Sequence, residues 1–482
     1  MYLFVPLFNV LSIALALLAL SMLTPLALIL AGETIEYMVF IQSATATAVG
    51  SLFFRALGRG YRRRLIQRQL FLITAGSWLV APFFAMLPFL LIEKPLSLAD
   101  AFFETVSGIT TTGATVITGL DQLTPDILLY RSILQWFGGV GIIGMAIAIL
   151  PSLKTGGMKL FRTESSDWSE KATARTNNLL NGIMAAYITL TILCFICYRL
   201  AGMDLFNAIN HALTTVATGG FSTSDQSFAQ FESHALHWIA IFFMIAGSIP
   251  FFLYVQAWHV RSARVFSNVQ VLGLLAITAG VTLILAIDLA ATENKGLLEA
   301  LTLSAFNVTS VISTTGYASA DYMQWGNATV VTFFFLMFIG GCSGSTSGGV
   351  KVFRCQLFFV QLKKQLIKSI HPNAVIASKY GGRMVSEDIM QSCIAFIFLV
   401  MTSLIVVTFL LSLTGLDFMT SATGASSALM NVGPGLGHII GPAGSFKPLS
   451  DVAKWLLSFS MILGRLEFIA IVILFTRTFW RG

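Results

Sequence analysis

The chain alternates long apolar runs with short polar ones, and the lengths of the apolar runs predict its elements. Runs long enough to cross a bilayer as helices fall near residues 3–30, 37–55, 69–92, 127–151, 180–201, 234–258, 269–291, 328–353, 389–414 and 451–476. Within each of the last four pairs lies a further run of about one dozen residues, too short to span. Each short run closes on a polar, glycine-ended stretch: Thr110-Thr111-Thr112-Gly113, Ala217-Thr218-Gly219-Gly220, Ser313-Thr314-Thr315-Gly316 and Met430-Asn431-Val432-Gly433. An acidic residue opens the run at nearly constant distance from the glycine. Asp204 to Gly220 is 16 residues, Glu299 to Gly316 is 17 and Asp417 to Gly433 is 16, whereas Asp100 to Gly113 is only 13. The four glycines follow one another at 107, 96 and 117 residues. Internal repetition on this scale lets one chain imitate a tetramer.

The pattern predicts an all-α integral membrane protein, an N-terminal helix pair followed by four pseudo-symmetric helix–pore loop–helix units around one central pore. The helix pair and its basic loop occupy 1–68, and the four units 69–178, 179–268, 269–388 and 389–482. Composition agrees: 56% of the 482 residues are hydrophobic and 11% charged, where a soluble domain carries roughly 25%, and mean hydropathy is +0.81. The uncharged first 32 residues form an apolar run longer than a signal peptide's core of roughly 7–15 residues, so we read a first membrane helix. The five cysteines imply no disulfide framework, and Cys194 and Cys197 read as packing residues within a span rather than a redox pair.

The net charge of +7 raises nucleic acid as a partner, but its distribution excludes one. Arg55, Arg59, Arg62, Arg63, Arg64 and Arg68 share one loop; Lys154, Lys159, Arg162, Lys171 and Arg175 share another. Arg261 and Arg264 form a third group, Lys351, Arg354, Lys363, Lys364, Lys368, Lys379 and Arg383 a fourth, and Arg477 and Arg481 end the chain. The alternate loops carry Glu33, Glu36, Asp121, Asp126, Asp225, Glu232, Glu293, Asp321 and the acids that open the short runs. This is the positive-inside pattern. It puts both termini and every basic loop in the cytoplasm and all four glycine loops outside.

Irregular backbone at membrane depth survives where it lines a water-filled cavity. An acid at the start of a short helix caps its first amides and opposes the positive end of its dipole, leaving the carbonyl end aimed inward. A cation gains there, because carbonyl and threonine oxygens replace the water it sheds. Glycine after the threonines lets the backbone turn and lets four strands approach closely. The filter residues are then Thr110, Thr111, Thr112, Gly113, Thr218, Gly219, Gly220, Ser313, Thr314, Thr315, Gly316, Asn431, Val432 and Gly433. The ion ligands among them are Thr111, Thr112, Thr218, Gly219, Thr314, Thr315, Asn431 and Val432. Copy two offers Gly219 or Gly220 as its glycine, and we take Gly220 because Phe221-Ser222 then aligns with Tyr317-Ala318. Copy four carries Asn431 and Val432 in place of threonines, so any fourfold symmetry is approximate. His211 and Glu104 read as hydrogen-bonding residues around the loops rather than ligands. Asn307-Val308-Thr309 and Asn327-Ala328-Thr329 match the glycosylation sequon weakly.

These stretches resemble the superfamily of K⁺ transporters that includes the Trk, Ktr and HKT proteins, and most closely its bacterial Trk membrane subunits. Further matching stretches are Gln135-Trp136-Phe137-Gly138-Gly139, Ile339-Gly340-Gly341-Cys342-Ser343-Gly344-Ser345, His371-Pro372-Asn373-Ala374 and Gly464-Arg465-Leu466-Glu467, and the match covers nearly the whole chain. The resemblance implies a homodimer in the bacterial inner membrane with one pore per protomer, K⁺ (and often Rb⁺) permeation, and a cytosolic regulatory ring subunit that binds NAD or ATP. No P-loop, dinucleotide fingerprint, catalytic constellation or metal cluster is present in the sequence. The chain is therefore expected to be no enzyme and to carry no cofactor of its own, with K⁺ as the permeant ion.

The eighth run contains Gly340, Gly341, Cys342, Ser343, Gly344, Ser345, Thr346, Ser347, Gly348 and Gly349. Five glycines, at roughly 1 kcal/mol each, do not make a stable helix interior. The segment is either a site of close helix packing or a flexible loop beneath the filter. We read the latter, which the resemblance makes an intramembrane gate with Lys351 just beyond it. Arg465, midway along the last run, either pairs with Glu467 or another carboxylate or places a positive charge in the ion path. The basic loops near 152–178 and 354–383 either dock the cytosolic ring or anchor topology. A coupled K⁺/H⁺ or K⁺/Na⁺ symporter is the alternative to a gated pore.

Overall fold

The structure, a computed structural model, describes residues 3–32, 36–59, 65–148, 172–293 and 295–481. Glu33, Arg62, Arg63, Arg64, Lys154, Lys159, Arg162 and Lys171, and most of the 152–178 docking loop, lie outside the described residues. Lipid offers no hydrogen bonds to the backbone, so apolar runs satisfy their own amides as helices. Val5–Met22, Tyr37–Leu57, Gln67–Ala85 (continued by Leu87–Leu91), Pro125–Ala148, Ala172–Leu200, Val269–Thr292 and Glu387–Ser412 supply seven helices long and apolar enough to span. The protein is a multi-pass membrane protein. Its polarity is inverted relative to a soluble domain: Thr111, Thr112, Thr218, Thr314 and Thr315 are fully buried, while Leu20, Phe53, Ile284 and Phe398 are exposed.

The other three expected spans are broken rather than straight. His234–Ser248 and Phe251–Val260 meet at 89°, and Asp451–Arg465 and Ile469–Phe475 at 107°. Asn327–Leu336 stops before the glycine segment, and helix resumes only at Val352–Ile370. The first break falls at Pro250, which has no amide and disfavours helix in the residue before it. The glycine segment compensates that break: Cys342 N–H donates to the Ser248 carbonyl (2.9 Å), and Phe251 N–H to that of Gly344 (3.0 Å). In the last span, Glu467 and Phe468 take φ of 58° and 55° and turn the chain aside immediately after Arg465.

Four short helices lie between the spans: Leu98–Ile109, Leu205–Val216, Leu297–Ile312 and Phe418–Met430. Their starts correct the spacing read from the acids. Asp204 and Asp417 do cap their helices, accepting from Asn207 N–H (2.9 Å) and Thr420 N–H (3.1 Å). In the first copy the cap is Ser97, which accepts from Asp100 N–H (3.1 Å). In the third copy the cap position is Gly296, with Glu299 inside the first turn. Counted from these caps to the glycines, the distances are 16 (97 to 113), 16 (204 to 220), 20 (296 to 316) and 16 (417 to 433). The first copy is regular, and the third carries about one extra helical turn. Asp100 instead meets Lys454 (2.7 Å) and Lys447 (3.1 Å), tying the first short helix to the last span. A small hairpin, Lys379–Tyr380 with Arg383–Met384, lies between helices Val352–Ile370 and Glu387–Ser412. The five cysteines form no disulfide.

Candidate functional site

All four short helices end alike. The residue two before the glycine is left-handed: Thr111 (φ 52°), Thr218 (50°), Thr314 (56°) and Asn431 (56°). The next amide reaches back five residues into the helix, Thr112 to Ser107 (2.9 Å), Gly219 to Thr214 (2.9 Å), Thr315 to Ser310 (2.9 Å) and Val432 to Ser427 (3.0 Å). This helix stop ordinarily uses glycine at the left-handed position. A β-branched residue there is strained, at a cost of order 1–3 kcal/mol. Asn431 sits in it more easily, which gives the divergent fourth copy a conformational reason.

The glycines follow with φ of 85° at Gly113, 79° at Gly220, 84° at Gly316 and 110° at Gly433, and their surroundings form a closed cycle. A Cβ on Gly113 would collide with the carbonyl oxygen of Gly219, one on Gly220 with that of Thr315, one on Gly316 with that of Val432, and one on Gly433 with that of Thr112. Each glycine therefore abuts the carbonyl that precedes the next loop's glycine, and the width of the ring is set backbone against backbone. In copy two the positive φ falls on Gly220. Gly219 is needed for space, because the Gln135 amide occupies the place of a Cβ, donating to the Gly219 carbonyl (2.6 Å) and accepting from Phe221 N–H (3.0 Å).

Behind the ring, a polar side chain nine or ten residues before each glycine holds the strand that leaves it. Glu104 accepts from Val116 N–H (3.0 Å) and Thr115 Oγ1 (3.0 Å), and His211 Nε2 meets Ser222 Oγ (3.1 Å). Asn307 donates to Ser319 Oγ (2.9 Å) and accepts from its amide (3.2 Å). Thr423 Oγ1 bonds both the amide (2.9 Å) and the carbonyl (3.1 Å) of Leu436. The sequence reading placed Glu104 and His211 in this role but missed Asn307, set aside as a sequon, and Thr423. At the entry end, hydrogen bonds from the Thr420 side chain and amide hold the Asp417 carboxyl below the usual carboxylate range.

The ring lies between two cavities. A larger one, of about 210 Å³, is lined by Gly113, Gly220, Gly316, Pro434 and Arg131. A smaller one, of about 30 Å³, is lined by Ser347, Gly348, Lys351, Phe396, Arg465 and Glu467. The segment 340–349 packs between the ring and this second cavity. Gly348 N–H donates to Thr314 Oγ1 (2.6 Å), Gly349 N–H to the Met430 carbonyl (2.9 Å), and Thr218 Oγ1 meets Thr346 Oγ1 (3.0 Å). Ser343 N–H reaches Gln270 Oε1 (3.0 Å), and Gly340 and Gly349 lie in contact with φ of 71° and 77°. Lys351 folds back so that Nζ donates to the Ser347 carbonyl (2.7 Å) and, at 3.4 Å, to that of Cys342. Gly341 and Ser345 complete the segment through a bond from Val352 N–H to the Gly341 carbonyl (3.0 Å) and one from Ser345 Oγ to that of Cys342 (2.7 Å).

Arg465 does not pair with Glu467. That carboxylate accepts from Arg354 Nη2 (2.7 Å), whose guanidinium stacks 3.8 Å above the Phe396 ring. Arg465 is buried at the helix break, and its Nε, Nη1 and Nη2 have no hydrogen-bond partner in the protein. Thr111 Oγ1 and Asn431 Oδ1 are likewise buried without a partner. The other hydroxyls are engaged, Thr110 with Thr112 (2.7 Å) and Ser313 with Thr315 (2.7 Å). Neutral backbone and hydroxyl oxygens of this kind suit a hard, weakly charged cation that exchanges rather than a resident metal. Sequence reasoning also missed Arg131 and the part Gln135 plays at Gly219, although a charge inside an apolar run was signal enough for the first.

A family model described as "TrkH: Cation transport protein" matches residues 36–481. The Trk system potassium uptake protein TrkI of Halomonas elongata is 42% identical over 478 residues, 99% of this chain and 97% of that one. The corresponding TrkH of Escherichia coli K12 is 36% identical over 448 residues, 90% of each chain. The crystal structure of the potassium transporter TrkH from Vibrio parahaemolyticus superposes with a TM-score of 0.92 at 33% identity, covering 99% of this chain and 100% of that one. The chain belongs to the TrkH family of cation transport proteins.

Proposed function

We propose that this protein carries K⁺ inward across the bacterial cytoplasmic membrane, with the four glycine loops as its selectivity filter. The observation that carries the reading is the closed cycle of glycine-to-carbonyl contacts at matched positions of four loops. That cycle, with a cavity on either side, supports an opening whose width is set by backbone contacts. Relatives named as potassium uptake proteins supply the ion. K⁺ sheds water against the loop carbonyls and the threonine and asparagine oxygens. Only one left-handed glycine per loop, rather than a longer array of ordered carbonyls, gives few ion sites and moderate selectivity.

The segment 340–349 acts as the gate and Arg465 adds an electrostatic barrier beneath the filter. Glycine on both sides of the close approach at Gly340 and Gly349 allows the segment to withdraw, and Lys351 links that movement to helix Val352–Ile370. A cytosolic ring subunit that binds NAD or ATP pulls on this helix and its basic continuation, and the working unit is a homodimer in the inner membrane with the basic loops inside. Purified protein in planar bilayers, with the K⁺ gradient opposed in turn by an H⁺ and a Na⁺ gradient, tests the reading. Currents that reverse at the K⁺ equilibrium potential support it; a reversal potential that follows H⁺ or Na⁺ replaces it with coupled symport.

A further inference from the structure

The brace behind the first loop differs from the other three. His211, Asn307 and Thr423 hold their strands with neutral groups, whereas Glu104 is paired with Arg131 at 2.8 Å in a site from which both side chains are excluded from solvent. A buried ion pair adds little net stability over apolar packing of the same volume, so stability does not explain it. Its connections do. Arg131 sits on the span Pro125–Ala148, between loops one and two. Its Nε takes the Glu104 carboxylate, Nη2 reaches Thr115 Oγ1 (3.2 Å) in the strand leaving Gly113, and Nη1 reaches the Ser222 carbonyl (3.0 Å) in the strand leaving Gly220. The guanidinium also lies 4.2 Å over the ring of Phe221, the residue that follows Gly220. Thr115 carries the connection further, because its carbonyl accepts from Phe446 N–H (2.9 Å) in the strand beyond loop four. One planar fork thus holds two outgoing strands directly and a third through a single residue.

The geometry points to Arg131 and Glu104 as positioning residues that set ion discrimination by fixing the spacing of loops one, two and four. This rests on the filter reading above. The opposite charges cancel, so the pair sets position at the outer mouth without adding net charge there. Lysine in place of Arg131 keeps the charge but cannot span three acceptors in fixed directions.

The experiment measures the K⁺/Na⁺ permeability ratio in proteoliposomes for Arg131→Lys and Thr115→Val. The second removes the hydroxyl shared by Glu104 and Arg131 at nearly constant volume, and serves if the first does not fold. Both should lower the ratio by about two- to tenfold, the scale of losing one positioning hydrogen bond, while K⁺ flux persists. A purely structural role would lower thermal stability and leave the ratio intact, and that result in a folded variant overturns the proposal. Gly220→Ala, measured alongside, separates the two readings. If it changes the ratio while the brace variants do not, only the brace fails; if it too leaves the ratio intact, the filter reading fails.

Discussion

The two sides of the glycine ring are built on opposite rules. On the side of the larger cavity, each outgoing strand is pinned by a side chain from its own short helix, and the one carboxylate among these braces meets a guanidinium at 2.8 Å. On the other side, three guanidinium nitrogens of Arg465 are buried with no protein partner, two consecutive non-glycine residues hold positive φ, and a ten-residue segment lacks helix. A satisfied, low-dielectric network resists displacement, because any shift exposes groups whose unmet hydrogen bonds are costly. An unsatisfied charge and a strained turn raise the energy of the state in which they occur, so alternatives lie closer. In the proposed function, discrimination between ions draws on the first kind of construction and opening on the second.

The largest effect should come from the ring itself. Gly220→Ser places a side chain against the Thr315 carbonyl at φ 79°, and K⁺ uptake by a transport-deficient host should fall about 10- to 100-fold, from strain of ~1–3 kcal/mol in the conducting geometry. Gly119 makes the control, for it has φ 76° but nothing near a Cβ; Gly119→Ala carries left-handed strain of ~1–2 kcal/mol that falls on folding rather than on the ring, so uptake should stay within about twofold of wild type. Equal losses in the two variants would mean that backbone conformation, not the closed cycle, matters.

On the other side, Glu467→Gln removes the partner of Arg354 (2.7 Å). Unfolding stability should drop by about 1–3 kcal/mol, below the ~3–5 kcal/mol of a fully buried pair, because Glu467 keeps some solvent contact. Arg465→Ala should do the reverse. Removing a buried charge that has no protein partner relieves its desolvation cost, so its melting temperature should hold or rise while basal K⁺ flux increases. A lower melting temperature with unchanged flux would make Arg465 an ordinary structural residue and erase the contrast drawn above.

The smallest expected effect is at the entry to loop four. Asp417→Asn should cost under about 1 kcal/mol at neutral pH, since asparagine also caps helices well. The carboxyl is held below its usual range by Thr420. Its contribution is therefore full above the unfolded carboxylate pKa and lost as pH falls through the lower folded value. The difference in melting temperature between wild type and Asp417→Asn should shrink across that acid window, and a difference that grows there would contradict the assignment.

Hydropathy and the positions of glycine were enough to locate ten apolar segments and four loops, because bilayer thickness and left-handed backbone both leave direct marks on composition. What escaped was set by partners far away in sequence. Ser97 rather than Asp100 caps the first short helix, while Asp100, inside the first turn, is claimed by Lys454 and Lys447. The bend at Pro250 is tolerated because the glycine segment, roughly ninety residues on, supplies the missing bonds. Glu467, two positions from Arg465, looked like its natural partner, yet the turn between them sends the carboxylate to Arg354. The braces were legible only in part, since acid, imidazole, amide and hydroxyl do one job at corresponding places and share no residue type.

That the closed cycle is drawn from one polypeptide has a consequence for how such a protein can vary. In an assembly of four identical subunits, a substitution at a ring position strikes every quadrant at once, and a tolerable change in one becomes an intolerable change in four. Here each quadrant has its own codon. Asn431 can stand where threonine stands elsewhere, and a charged brace can arise behind one loop alone. Inheritance can therefore adjust this opening in quarter steps.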